Sequence, residues 1–84
     1  MHTAQLLSQA LDLSRRAGYQ IREETLEGAG GGHCLIRGQK WLLLDLTQSH
    51  QEQLNDVIDA LRAEPPLEDV PEPLVEYLRV RRAA

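Results

Sequence analysis

The segment from His33 to Leu46 constrains this chain most, because its apolar residues alternate so as to fall on both faces of any sheet it enters. Two apolar runs, His33 to Arg37 and Trp41 to Leu46, flank Arg37-Gly38-Gln39-Lys40, and Gly38 suits the first central position of a type II′ hairpin turn. A turn at Gly38-Gln39 sets Ile36 opposite Trp41, Leu35 opposite Leu42, Cys34 opposite Leu43 and His33 opposite Leu44. Paired residues share a face. One face then carries Leu35, Leu42, Leu44 and Leu46, and the other carries Cys34, Ile36, Trp41 and Leu43 before ending in Asp45. A small antiparallel sheet ordinarily keeps one face wet, so two dry faces require either helices on both sides or a second chain.

The remaining sequence supplies helices and one more strand. Thr3 can cap a helix over 4–17 whose Leu6, Leu7, Ala10 and Leu11 follow helical spacing and whose stop is Gly18. Tyr19, Ile21 and Glu23 alternate with Gln20, Arg22 and Glu24, which predicts an edge strand, and Gly28-Ala29-Gly30-Gly31-Gly32 interrupts it as a loop. Ser49 and Glu52 have capping-box spacing ahead of the stripe Leu54, Val57, Ile58 and Leu61. Pro65-Pro66 ends that helix, an acidic proline-punctuated linker spans 64–72, and a short helix restarts at Pro73 and covers 73–82. The expected fold class is α+β: one domain over 1–84, a three-stranded antiparallel sheet with helices, in the order α-β-β-β-α-α.

Composition narrows the function classes. The 84 residues contain one cysteine, so no internal disulfide offsets the small core, and a reducing cytoplasm is the expected location. No apolar run approaches the ~20 residues of a membrane span, and Met1-His2-Thr3-Ala4-Gln5 lacks the basic and apolar stretches of a signal peptide. A formal charge of −4 argues against nucleic acid or anionic lipid as a partner, since both reward a basic surface. The basic group Arg79, Arg81 and Arg82 reads as a solvated helix end.

The residues that could carry chemistry do not assemble into a motif. His33 and Cys34 suggest a base and a thiolate, but neighbouring strand residues point to opposite faces, so Cys34 reads as an inert small hydrophobe. Asp45 at the end of an apolar strand reads as a helix cap or, less simply, a ligand-binding carboxylate. The Gly30-Gly31-Gly32 run lacks the Gly-Lys-Ser/Thr and the following helix of a phosphate loop. His50 has no companions at metal-ligand spacing, so no metal or other cofactor is expected.

Gly30-Gly31-Gly32-His33-Cys34, then Gly38, Lys40, Asp45, Glu52-Gln53-Leu54 and Ala60-Leu61, together resemble a small uncharacterised bacterial protein family over residues 18–62. The resemblance implies a shared fold and bacterial origin without an activity. A fainter likeness is to a degenerate zincin-type metallopeptidase core, an apolar strand before a helix. The helix here reads His50-Gln51-Glu52-Gln53-Leu54-Asn55 and lacks the His-Glu-x-x-His order, so that likeness implies no catalysis. The sequence therefore predicts a non-enzymatic module, a homodimer or a binder of another protein, with the face of Trp41, Ile36, Leu43 and Cys34, or an exposed strand edge, as its contact. The competing expectation is a small ligand-binding protein or enzyme using His33, Cys34, Asp45 and Gly30 to Gly32.

Overall fold

The computed structural model describes residues 2–27 and 29–79. The expectations attached to Gly28, Arg81 and Arg82, and the last residues of the C-terminal helix, lie outside them. In chain order the elements are α1 (Thr3–Arg16), β1 (Tyr19–Glu24), β2 (Gly32–Ile36), β3 (Gln39–Asp45), α2 (His50–Arg62) and α3 (Glu72–Leu78).

Each helix follows from its apolar spacing and its ends. Helix α1 buries Leu6, Leu7, Ala10, Leu13 and Ser14, and the Ser14 hydroxyl donates to the Ala10 carbonyl at 2.8 Å. His2 rather than Thr3 occupies its N-cap position, without a side-chain bond, so Thr3 is the first helical residue and not the expected cap. Gly18 ends it with φ 99°, where a side chain would be strained. Helix α2 carries the full capping box: the Ser49 hydroxyl accepts from the Glu52 amide, and the Glu52 carboxylate accepts from the Ser49 amide. Proline in its first turn opens α3, and fully buried Leu74 pins it.

The sheet is mixed, which corrects the antiparallel expectation. Its spatial order is β1-β3-β2, with β1 parallel and β2 antiparallel to β3. The physical reason is the segment 25–31, too long for a tight hairpin, which carries the chain past the end of β3 and sets β2 down on its far side. The expected turn also shifts. Arg37 (φ 51°) and Gly38 (φ 81°) are the central residues, both with the positive φ of a type I′ turn. Moving the turn by one residue moves the pairing by two, so Cys34 faces Trp41, His33 faces Leu42 and Gly32 faces Leu43. An even shift preserves which side chains share a face.

Among the described residues, helices cover one face of the sheet alone. Tyr19, Leu42 and Leu44 are buried on the inner face with Leu13, Leu54, Val57 and Leu61; α1 lies against β1, and α2 against β2 and β3. Helix α3 packs on α1 and α2, and Leu67 and Val70 of the linker also pack against this core. Leu35 and Leu46, expected to share the burial of Leu42 and Leu44, are 68% and 51% exposed because they fall at or past strand ends, beyond the helices.

Candidate functional site

The sheet's outer face is built in two halves. Across the rows, Gln20 of β1 aligns with Trp41 and Cys34, and Arg22 with Leu43 and Gly32. The β2–β3 half is therefore apolar, with Trp41 and Leu43 half-buried, Cys34 exposed and Ile36 53% exposed. The β1 half is polar. Gln20 donates to the Gln39 side chain at 2.5 Å, and Arg22 pairs with Glu24. Gly32 leaves a hollow beside Leu43, for a Cβ there would meet no atom within 4 Å. No described helix reaches this face.

Asp45 lies at the end of the same face, buried under the glycine loop. Its Oδ1 accepts from the amides of Leu26 (3.1 Å) and Thr47 (3.0 Å) and from the Thr47 hydroxyl (2.6 Å). Its Oδ2 accepts from the Gly30 amide at 3.1 Å. The Thr47 hydroxyl, helped by these amides and opposed by burial, holds the carboxyl down at about 2. Asp45 thus clamps both limbs of the crossover to the end of β3, a role different from the helix cap that its sequence position suggests; the α2 cap is Ser49. Gln53 Nε2, also buried, donates to the Asp45 carbonyl at 2.9 Å.

The other sequence-derived candidates do not converge with Asp45. His33 turns to the inner face, where its ring meets Tyr19 edge-on at 6.4 Å between centroids, while Cys34 turns outward beside Trp41. Gly30 and Gly31 lie close to Asp45 and Asp56, but the bonds of the loop to Asp45 are internal to the fold. Among the described residues no group of three or more His, Cys, Asp or Glu side chains is disposed to hold a metal ion. Nor is any helix long and apolar enough to cross a membrane.

Two features escape a reading of the sequence. Lys40, just ahead of the apolar run of β3, donates from Nζ to the Ala17 carbonyl at 2.5 Å, pairs with Glu64 and lies 5.0 Å from the centre of the Tyr19 ring. Burial and then Glu64 push the Tyr19 hydroxyl up. The signal for this cluster was a lysine bordering an apolar run, legible only once β1 is known to lie alongside β3. The second feature is a cleft of about 270 Å³ between the end of α2, the linker and Leu78, walled by Leu61, Pro66, Leu67 and Val70. Arg62 and Glu64 also line it, and neither Cys34 nor Asp45 does.

No protein-family model, no curated protein and no solved structure matches the chain.

Proposed function

We propose that this chain is a non-catalytic module that binds another polypeptide through the β2–β3 side of its sheet, with self-association as the first mode. The observation that supports this most is the uneven cover of the sheet: among the described residues helices lie on the inner face alone, while Trp41, Leu43, Cys34 and Ile36 form an apolar half-face on the other. Contiguous exposed apolar surface rimmed by polar side chains is the usual mark of an interaction site. A reading as an enzyme has no comparable support, since His33 and Cys34 point to opposite faces and Asp45 is engaged by the loop.

Sedimentation of the wild-type chain and of Trp41→Asp tests the reading. Trp41 is only half-buried, so the substitution leaves the core intact and should weaken association at least tenfold. A wild-type chain that remains monomeric up to millimolar concentration would refute self-association.

A further inference from the structure

We propose that the free edge of β2 pairs antiparallel with the same edge of a second copy about a two-fold axis at Cys34, joining two three-stranded sheets into one of six. This rests on the association reading above and adds to it the partner and the geometry.

The two edges of the sheet are guarded differently. Strand β1 carries Arg22, Glu23 and Glu24, the kind of charge that keeps an edge from pairing. Strand β2 reads Gly-His-Cys-Leu-Ile with no fixed charge, and Leu35 and Ile36 are 68% and 53% exposed. An uncharged exposed edge invites a strand.

The backbone phase selects Cys34 as the centre. In a type I′ hairpin the residues flanking the turn, here Ile36 and Gln39, form a hydrogen-bonded pair, and bonded and non-bonded pairs alternate from there along the strands. Cys34 therefore spends its amide and carbonyl on β3, while those of His33 and Leu35 face the open edge. A two-fold axis at Cys34 sets His33 opposite the second copy's Leu35 and satisfies every one of these outward groups. Cys34 then faces its own counterpart as a non-hydrogen-bonded pair with Cα atoms about 4.5 Å apart, within the range a disulfide spans.

The same register makes the charges complementary. It sets Arg37 opposite the second copy's Gly31, and Gly31 lies against Asp56: a Cβ there would stand 3.2 Å from Asp56 Oδ2. That oxygen is buried with no side-chain partner; burial and the negative charge of Asp59, Glu52 and Asp45 push the Asp56 carboxyl above its ordinary range, against the Gly31 amide, which holds it down. Arg37 is exposed and forms no ion pair among the described residues. Two-fold symmetry makes this contact twice.

The test is sedimentation of the full chain, followed by incubation in a glutathione redox buffer. Oxidised glutathione takes one electron and one proton from each of two Cys34 thiols and leaves as two reduced glutathiones. We expect a dimer that becomes disulfide-linked. Arg37→Asp, in an exposed turn where aspartate tolerates positive φ, should raise its dissociation constant at least tenfold and slow the linkage. Asp56→Asn should weaken it similarly, and the two together by little more than either alone. A dimer dissolved by Trp41→Asp yet indifferent to Arg37→Asp, with Cys34 unlinked, would overturn the edge pairing and leave the association reading standing. A monomer at every concentration would overturn both.

Discussion

Alanine at Gly31 should cost this protein far more than alanine at the very next residue. A Cβ on Gly31 would stand 2.1 Å from the Leu43 carbonyl oxygen and 3.1 Å from its carbon, far inside van der Waals contact. The obstructing atoms are backbone in the central strand, so no side chain can swing aside, and the crossover loop must lift from the sheet instead. Overpacking of this kind costs roughly 1–3 kcal/mol, and a rigid obstacle places Gly31→Ala in the upper half of that range. For a domain of this length, each kcal/mol moves the melting temperature by about 4–8 °C, so a fall of about 10–20 °C is expected. Gly32→Ala meets nothing within 4 Å. Its effect should lie within about 1 kcal/mol of zero and can be stabilising, because alanine restricts the unfolded chain. Thermal melts by circular dichroism, at one fixed protein concentration because association itself shifts melting, compare the two. Equal melting temperatures for both variants would refute the close approach of the loop to Leu43.

The Asp45 clamp gives a pH signature. Its carboxyl is held at about 2 against an ordinary 3.8, so its contribution is fully present above about pH 4 and is lost as pH falls toward 2. Wild-type stability measured against Asp45→Asn should converge over that window and stay parallel from pH 5 to 8; a constant difference down to pH 2 would rule the clamp out. Lys40→Met keeps the aliphatic stem but leaves the Ala17 carbonyl without its donor and Glu64 with the Tyr19 hydroxyl alone, and should cost about 1–2 kcal/mol by urea denaturation. The loss should shrink by about half when Glu64→Gln is already present, and strict additivity would show that the two side chains do not interact.

The parts of this fold written locally were legible. The capping box at Ser49 and Glu52 and the stripe from Leu54 to Leu61 lie within one helix, and each is specified by neighbours a turn away. The division of Cys34, Ile36, Trp41 and Leu43 from Leu42 and Leu44 survived an error in the turn, because face depends on parity and the register slipped by two. The turn itself was ambiguous: Gly38 serves the first position of a type II′ turn or the second of a type I′ turn, and the choice depends on Arg37 accepting φ 51°. Strand order was legible only in part: the hairpin makes β2 and β3 neighbours and the polar alternation of β1 marks it as an edge, but which of the two β1 joins was not. It depends on which way segment 25–31 travels, and the residue that fixes this, Asp45, reads by position as a helix cap. Its partners Leu26 and Gly30 contribute backbone amides, which leave no mark on the sequence.

The crossover explains both the buried centre of the sheet and its unguarded side. Had the three strands run as a simple meander, β2 would lie in the middle and β3 would be an edge, with Leu42 and Leu44 flanked on one side only. Passing the chain over the end of β3 places its most apolar strand between two neighbours, and Leu42 is fully buried as a result. The same move pushes β2 outward, so the strand without a fixed charge becomes an edge while charged β1 takes the other. Gly31 and Asp45 make that path sterically and electrostatically feasible, and thereby create the exposed β2 edge. The association proposed here thus depends on the loop: a substitution that lifts it, as Gly31→Ala does, should disturb the Asp56 side of the edge and weaken pairing along with stability.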